Sequence, residues 1–288
     1  MKKKILLFAA VFLLGGCGAN EARQDDDQNN EAVVPEKQEK KEEINNQETK
    51  EVEKPDEQPA EESANPEPAQ SIPEYKMRDD FSIQNISNPK EKIVLLTIDD
   101  APDKNALAMA KVLKNLNVKA IFFVNGHFID TPEEGEVLKQ IHQMGFPIGN
   151  HTYNHKSLKD LTEEQQRVEI VGLNDRIEEL IGERPRFFRA PFGMNTEYSK
   201  KVAAEEKMLL MNWTYGYDWE KAYQSKEALA DIMVNTPLLR NGANLLMHDR
   251  EWTSAALSDI VKGLQNKGYK IVDPYLIETP ANKEAAAQ

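Results

Sequence analysis

From residue 92 onward, apolar and polar residues follow a pattern typical of strands that alternate with helices. Short apolar runs that stop at polar or turn-forming residues predict seven strands, at 92–98, 119–124, 146–149, 186–189, 208–213, 243–247 and 269–272. Stretches with apolar residues on one face predict the intervening helices, at 103–117, 132–144, 162–181, 196–206, 225–235 and 253–267. Repeated strand–helix units indicate an α/β fold of parallel strands covered by helices.

Polar residues at the strand ends bear on how the sheet closes. Seven or eight units could form a barrel or remain an open, doubly wound sheet. Six polar residues fall at or just after predicted strand ends: Asp99, Asp100, His151, Arg189, Asp218 and His248. Because barrels carry their active sites at the C-terminal ends of the strands, this placement favours a distorted (β/α) barrel of seven or eight units.

The first 17 residues have the composition of an export signal. Three lysines precede an apolar stretch, Ile5 to Leu14, that is too short to span a bilayer. The stretch ends in Leu14-Gly15-Gly16-Cys17, which resembles a bacterial lipoprotein processing site. We therefore expect Cys17 to be lipidated and to anchor an extracytoplasmic protein to the cell membrane. An ordinary cleaved signal is the alternative. Cys17 is the only cysteine, so no internal disulfide is expected.

Residues 18–70 differ in composition from the rest of the chain. They hold 17 acidic and 6 basic residues, a net charge of −11 out of −13 for the chain, and no aromatic residue. This composition predicts a disordered acidic linker. The folded region that follows has no evident basic patch, which argues against nucleic acid as a partner. We expect an irregular lead-in over 71–90, a domain over 91–280 and a frayed tail over 281–288.

One strand end and one short segment together carry a set of metal-binding residue types. Asp99 and Asp100 end an apolar run, and His151 and His155 lie about fifty residues later. A single helical turn would place both imidazoles on one side. With Asp100 they offer two nitrogens and one oxygen and leave a coordination position open, as in catalytic zinc sites, with Asp99 as a spare base. The histidine spacing alone would favour two surface histidines, and only its combination with the two aspartates indicates a metal site.

Three further polar residues complete the candidate site. Arg189 follows an apolar pair and can orient a carboxylate by two hydrogen bonds. His248 follows another apolar run and, facing Asp218, would be placed as a general acid. The aromatic residues over 213–219 suit stacking on sugar rings or packing in the core.

Several motifs, in order, resemble those of the polysaccharide deacetylases of carbohydrate esterase family 4, which share the NodB homology domain. The resemblance covers about 92–272. It rests on Thr97-Ile98-Asp99-Asp100-Ala101-Pro102, Asn150-His151-Thr152-Tyr153-Asn154-His155, Arg189-Ala190-Pro191-Phe192-Gly193, Asp218-Trp219 and Leu246-Met247-His248. It implies a distorted (β/α) barrel and metal-dependent removal of N- or O-acetyl groups from a glycan.

The resemblance also implies roles for individual residues. Asp99 would be the general base and His248 the general acid, with Arg189 and Asp218 orienting and tuning that pair. Three residues would ligate one divalent ion, Zn²⁺ foremost and Co²⁺ or Ni²⁺ as alternatives: Asp100, His151 and His155. The backbone N–H of Phe192 would help to stabilise the oxyanion, and Trp219 and Leu246 would form the walls of the pocket for the acetyl methyl group.

Three positions depart from the family pattern. Ile98 stands where the family has Phe, and Ala101 where it has Gly, which adds a methyl group and restricts the backbone beside the metal aspartate. Tyr215 stands where a first acidic residue is usual. These differences bear on rate and substrate more than on the metal.

Three hypotheses follow. The first is a surface-anchored deacetylase of peptidoglycan or N-acetylglucosamine polymers, with chitin oligomers or acetylated xylan as other glycans. The second is a metal-containing glycan-binding protein with little or no turnover. The third is an amidohydrolase of small molecules, which a lipid tether disfavours. The sequence leaves the oligomeric state open.

Overall fold

A parallel sheet forms the centre of the domain. A computed structural model of the protein describes residues 72–285. Seven strands form this sheet within those residues: β3 (Ile93–Ala101), β4 (Ile121–Val124), β5 (Ile148–Asn150), β6 (Phe187–Phe188), β7 (Leu209–Leu210), β8 (Ala243–His248) and β9 (Lys270–Ile271). Their order is β7-β6-β5-β4-β3-β8, and β9 pairs with the start of β3.

The sheet curls until its two outer strands are bridged. The segment after β7 crosses to β8, where the Thr214 N–H donates to the Asn244 carbonyl at 2.9 Å and the Leu246 N–H donates to the Tyr215 carbonyl at 2.9 Å. This irregular crossing replaces a regular strand pair. The fold is therefore a distorted barrel, as predicted, rather than an open sheet.

Helices cover the outer face of the barrel. In the part of the chain that the structure describes they are α1 (Ala106–Asn115), α2 (Pro132–Gln143), α3 (Glu163–Ile181), α4 (Glu197–Glu205), α5 (Lys226–Asn235), α6 (Glu251–Asn266) and α7 (Pro280–Ala285). The six helices predicted from the sequence are all present, with ends shifted by a few residues. The tail expected to fray instead forms α7 as far as residue 285. None of the helices among the described residues is long and apolar enough to cross a membrane.

Two apolar layers lie on opposite faces of the sheet, as strand periodicity requires. In β3, Val94, Leu96 and Ile98 pack outward beneath the helices, whereas Ile93 and Leu95 pack into the barrel interior. Because side chains alternate along a strand, Thr97 and Asp99 also face inward. The barrel interior thus changes from apolar at its base to polar at the C-terminal ends of the strands.

The segment that precedes the barrel closes its base. It forms an antiparallel pair, β1 (Tyr75–Met77) and β2 (Ile83–Asn85), so the predicted irregular lead-in is wrong. Its backbone is held by distant residues, because the Glu74 N–H donates to the Leu276 carbonyl at 2.9 Å and the Ile83 N–H to the Gly242 carbonyl at 2.8 Å. Such long-range pairing leaves no local periodicity to read. Residues 1–71, with the predicted signal, Cys17 and acidic linker, and 286–288 lie outside the described residues.

Candidate active site and metal centre

Two inward-facing side chains at the top of the barrel form a buried ion pair. Arg189 follows Phe187 by two residues, so it points into the interior, where it contacts Asp99. The Arg189 Nη1 donates to Asp99 Oδ1 at 2.6 Å and to Thr97 Oγ1 at 2.8 Å, and Nη2 donates to the Asn212 carbonyl at 2.9 Å. Burial raises the pKa of Asp99, while the charge and hydrogen bonds of Arg189 oppose that rise. The arginine thus orients the carboxylate.

Asp100 follows Asp99 where the register of β3 shifts near its end, and its side chain points elsewhere. Its φ of 58° lies in the left-handed region, which turns its side chain away from the strand alternation. Asp100 Oδ1 lies 3.4 Å from His155 Nε2 and 3.9 Å from His151 Nε2. Its other oxygen accepts a 2.8 Å hydrogen bond from Arg250 Nη2. Asp99 thus bonds Arg189 and approaches His151 Nε2 to 3.5 Å through its other oxygen, whereas Asp100 lies nearer to His155.

His151 presents one defined nitrogen to that space. Its Nδ1 lies 2.7 Å from the carbonyl of Arg189. A carbonyl can only accept, so Nδ1 carries the proton and the Nε2 lone pair is free for a metal. Burial lowers the pKa of His151 to about 3, which keeps the ring neutral. A neutral imidazole is the form that binds metals.

His155 reaches the same space from a loop. No helix spans 151–155, so the predicted helical turn is wrong. Instead Thr152 and His155 adopt left-handed φ values of 69° and 52°, and the two histidine rings approach to 5.0 Å between centroids. Burial also lowers the pKa of His155 below its ordinary value. Two left-handed backbone conformations thus bring the two imidazoles together, as a helical turn would have done.

The resulting donor set fits a divalent metal ion. One ligand atom from each of Asp100, His151 and His155 lies within 4.8 Å of the others. Two neutral imidazole nitrogens and one carboxylate oxygen form the donor set of catalytic zinc sites, which keep a further position for water or substrate. The free Nε2 of His151 and the turned carboxylate of Asp100 are consistent with that assignment.

A second acid–base pair lies across the pocket. The Nδ1 of His248 lies 2.7 Å from Asp218 Oδ1, and the His248 backbone N–H donates to Asp218 Oδ2 at 2.6 Å. The carboxylate also accepts from Thr253 Oγ1 at 2.8 Å. Burial opposes the charged form of His248, but the hydrogen bond and charge of Asp218 outweigh it and raise the pKa of His248 above its ordinary value. Nδ1 bears the proton held by Asp218, which leaves Nε2 as the nitrogen that can exchange a proton.

A single pocket of about 450 Å³ brings the two pairs and the donor set together. Phe192, Trp219 and Leu246, predicted from the sequence to contact substrate, line it. The exposed ring of Phe192 packs edge-on against His155, with centroids 4.9 Å apart. Trp219 packs in the same way against His248, at 5.6 Å. The polar residues thus lie in an open pocket with aromatic walls.

Sequence reasoning left open which of the aromatic residues over 213–219 line the site, and it missed Arg250 and Asp249. Trp213 lines the pocket, whereas Tyr215 lies in the core with its hydroxyl donating to the Met233 carbonyl at 2.7 Å. Arg250 lines the pocket and holds Asp100. Asp249, next to His248, binds three backbone N–H groups of the loop after β3. Only the position of Asp249 and Arg250, directly after His248, could have signalled the last two.

The residues that depart from the expected motifs are accommodated in the core. Ala101 is fully buried, and its methyl group packs in the outer apolar layer. The left-handed conformation falls on Asp100, not on Ala101, so alanine is not strained by a positive φ there. Tyr215 is also buried in the core. Among the described residues, the buried Nε of Arg189 has no hydrogen-bond partner.

The chain matches known proteins over the same region. The family model described as polysaccharide deacetylase matches residues 86–211. A peptidoglycan-N-acetylglucosamine deacetylase of Bacillus cereus is 31% identical over 209 residues, which are 69% of this chain and 73% of that protein. The uncharacterized protein YlxY of Bacillus subtilis is 31% identical over 64% of this chain, which spans only 56% of that protein.

Solved structures are also similar to this chain in fold. The wild-type structure of BA3943 from Bacillus anthracis, described as a pseudoenzyme of carbohydrate esterase family 4, has a TM-score of 0.58 and 29% identity, covering 64% of each chain. A BA3943 mutant described as having restored enzymatic activity has a TM-score of 0.58 and 31% identity, covering 64% of this chain and 66% of that one. Together with the barrel and its pocket, these matches show that the chain belongs to the polysaccharide deacetylases of carbohydrate esterase family 4.

Proposed function

We propose that this protein is a metal-dependent deacetylase that hydrolyses N-acetyl or O-acetyl groups of a cell-wall or extracellular glycan, with peptidoglycan and N-acetylglucosamine polymers as the foremost substrates. One observation carries the proposal. The Asp99–Arg189 pair, the His248–Asp218 pair and the three candidate metal ligands all line or adjoin one pocket. Hydrolysis of an amide needs a base, an acid and a stabilised oxyanion, and the pocket offers a candidate for each.

Asp100, His151 and His155 would hold the metal ion. When bound, a divalent ion such as Zn²⁺ supplies Lewis-acid chemistry, which makes water more acidic and polarises the acetyl carbonyl. Co²⁺ or Ni²⁺ are the alternatives.

The proton transfers belong to the two pairs. Asp99 would accept a proton from the attacking water, with Arg189 fixing the direction of its carboxylate through the 2.6 Å hydrogen bond. His248 would donate a proton from Nε2 to the leaving sugar nitrogen as the carbon–nitrogen bond breaks, with Asp218 holding Nδ1. Water and amide thereby become acetate and a free amine. The backbone N–H of Phe192 would add a hydrogen bond to the oxyanion.

The walls of the pocket suit a sugar substrate. Trp213, Trp219 and Phe192 line it together with Leu246. Aromatic rings at an open pocket offer apolar faces on which a pyranose ring can stack. Leu246 and Trp219 would contact the acetyl methyl group. The name of the Bacillus cereus relative supports peptidoglycan as the polymer to test first.

A glycan-binding protein with little turnover is the second candidate. The similarity to BA3943, described as a pseudoenzyme, favours it. The presence of both proposed proton-transfer residues argues against it. Asp99 is hydrogen-bonded to Arg189, and His248 is hydrogen-bonded to Asp218. A protein that only bound glycan would need neither of them. A small-molecule amidohydrolase has no observation in its favour.

We further propose that the domain is exported and anchored through a lipid on Cys17, which the motif at 14–17 supports. Mass spectrometry of the N-terminal peptide from the membrane fraction tests this. A diacylglyceryl mass on Cys17 is expected, and a mature protein that begins elsewhere would contradict it.

Acetate release tests the activity. The purified protein is stripped with a chelator, reloaded with Zn²⁺ or Co²⁺, and assayed on peptidoglycan, N-acetylglucosamine oligomers and acetylated xylan. We expect release from a glycan that disappears on stripping and returns on reloading. Release that is indifferent to metal would contradict the proposal, and none from any substrate would favour the binding protein.

A further inference from the structure

The loop that carries His155 needs support from outside itself. Thr152 and His155 both have positive φ, a conformation that non-glycine residues rarely adopt. Such conformations are strained in non-glycine residues and persist only where the surroundings impose them. The direction of the His155 ring therefore depends on what fixes the loop.

One side of the loop is held by the connection after β4. The Asn125 Nδ2 donates to the carbonyls of His151 and Thr152 at 2.8 and 3.1 Å. The His127 N–H donates to the Tyr153 carbonyl at 3.0 Å. These bonds secure the first half of the loop and stop before Asn154, the residue that precedes His155.

The other side is held by one residue of α3, Glu169. Its carboxylate accepts the Asn154 backbone N–H through Oε2 at 2.7 Å and the Asn154 side-chain amide through Oε1 at 2.9 Å. The carbonyl of Glu169 also accepts the Tyr153 N–H at 2.9 Å. Glu169 is 5% exposed, so its carboxylate has little access to water, whereas the Asn154 side chain is exposed.

Two bonds from one rigid helix to a single residue fix both its peptide plane and its side chain. Asn154 is bonded to His155, so fixing its peptide restricts the backbone from which the imidazole projects. The 3.4 Å approach of His155 Nε2 to Asp100 depends on that restriction. Glu169 itself is neither one of the candidate ligands nor one of the residues that line the pocket.

We propose that Glu169 is a positioning residue for the metal centre, which orients His155 as a ligand through its two hydrogen bonds to Asn154. This inference rests on the proposed metal site, but it concerns metal binding and does not require deacetylase activity.

The contact between Glu169 and Asn154 can be broken by a substitution on either side and restored when the two substitutions are combined. In Glu169→Gln, one of the two acceptors becomes an NH₂ group, which faces a donor on Asn154. In Asn154→Asp, two carboxylates face each other instead. In the variant that combines the two changes, the carbonyl oxygen of the introduced glutamine accepts the backbone N–H, and its NH₂ donates to the introduced aspartate. Both hydrogen bonds and the net charge are then restored.

Zinc affinity is the measurement, by competition with a chromophoric chelator, alongside thermal unfolding of the metal-free protein. We expect Glu169→Gln to weaken zinc binding by about 10–100-fold, the usual cost of losing a partner behind a ligand. Asn154→Asp should also weaken it, and the double variant should return to within about threefold of wild type. Asn154→Ala deletes one of the two bonds at an exposed side chain and should weaken zinc binding by a smaller factor. This variant tests the inference even if Glu169→Gln does not fold.

Gln166→Ala is the matched control. Gln166 lies three residues earlier on α3, is also 5% exposed, and bonds the Leu161 carbonyl and the Thr196 hydroxyl but not the loop. It should lower thermal stability and leave zinc affinity unchanged.

Two results would overturn the inference: wild-type zinc affinity in Glu169→Gln and Asn154→Ala, or a double variant that regains thermal stability but not zinc affinity. The latter would show a merely structural role. A wild-type protein that binds zinc but releases no acetate would contradict the proposed function and leave this inference standing.

Discussion

Asp99 and Asp100 show how strongly the immediate surroundings decide what a side chain can do. They are consecutive in sequence, yet Asp99 meets Arg189 inside the barrel and Asp100 meets His155 and Arg250 at the mouth. Strand alternation accounts for the first and a left-handed φ of 58° for the second. The proposed base is therefore held by an arginine, and the proposed metal ligand lies beside imidazoles.

The charge of Asp218 leads to a prediction about pH. His248 must be protonated to act as an acid, and Asp218 raises the pKa of His248, so activity should persist above the ordinary pKa of histidine. Asp218→Asn keeps an oxygen that can accept from Nδ1 but removes the charge. The alkaline limb of the kcat/KM profile should therefore move to lower pH, with kcat reduced by about 10²–10⁴-fold at high pH.

The matched control for that profile is Thr253→Ala, which removes one neutral hydrogen bond to Asp218 and leaves its charge in place. Its alkaline limb should stay close to that of wild type. An alkaline limb that does not move in Asp218→Asn would contradict the role of His248 as the acid.

At the scale of residues, the motifs in the sequence were enough to find most of the pocket. Each of the residues placed in the site beforehand lies in it or beside it, although their roles stay predictions. Glu169, Asp249 and Arg250 were not found, because they act through contacts between segments that are far apart or through a neighbour. The sequence does not show which loop a glutamate on a helix will contact.

Among the elements, the connection from β3 to α1 is held by a residue from another part of the chain. The N-cap residue of α1, Asn105, makes no side-chain cap. Instead Asp249 accepts the backbone N–H groups of Asp103, Asn105 and Ala106 at 2.8, 2.6 and 2.9 Å. Asp249 follows β8 and is buried, so it ties the start of α1 and the loop after Asp100 to the strand that carries His248.

Loss of this cap should be costly. Asp249→Asn replaces one acceptor by a donor that faces backbone donors, and the free energy of unfolding in urea should fall by about 2–4 kcal/mol. Asp259→Asn on α6 is the control, because Asp259 is exposed and pairs with exposed Lys226. It should change the free energy by less than about 0.5 kcal/mol. Equal stability of Asp249→Asn and wild type would show that the three bonds contribute little.

Elements were predicted well where periodicity is local and poorly where it is not. The apolar stripe that predicts α1 lies in contiguous sequence, and the structure contains a helix there with its apolar residues buried. The loop over 151–155 was misread as a helical turn because two histidines four apart suit one. Its true conformation depends on hydrogen bonds from Asn125 and Glu169, which sequence spacing does not encode.

For the molecule as a whole, the two ends of the barrel differ in role. Apolar packing closes the base, and the mouth carries the candidate site. The β1–β2 pair closes the base with Tyr75 and Ile83, which pack against Ile93 and Leu95 at the start of β3. The candidate site lies at the other end of the same strands. The segment over 72–90 therefore contributes to the core and does not cover the site.

This arrangement predicts the effect of truncation. A protein that begins at residue 91 loses Tyr75 and Ile83 and exposes the base of the interior. At about 1.5–3 kcal/mol for each large apolar side chain, its free energy of unfolding should be about 3–6 kcal/mol lower than that of a protein that begins at residue 72. Urea denaturation measures the difference, and equal stability of the two would contradict a structural role for the β1–β2 pair.

The barrel was predictable at this scale, but the way it closes was not. Polar residues at strand ends indicated a barrel, and that prediction is confirmed. Closure depends on backbone hydrogen bonds of 214–215 to 244–246, and the base depends on bonds from 74–83 to 242 and 276. Backbone pairs between distant segments can form with almost any side chains, so the sequence carries little sign of them.

The most direct test of the proposed mechanism compares acetate release by zinc-loaded wild type and zinc-loaded Asp99→Asn. The variant keeps the size of the side chain and an oxygen for Arg189 but cannot accept the proton of water. We expect wild type to release acetate from peptidoglycan or N-acetylglucosamine oligomers, and the variant to bind zinc equally and release acetate about 10²–10⁴-fold more slowly. Equal rates in the two proteins, or no release by fully zinc-loaded wild type, would contradict a deacetylase that uses Asp99 as its base.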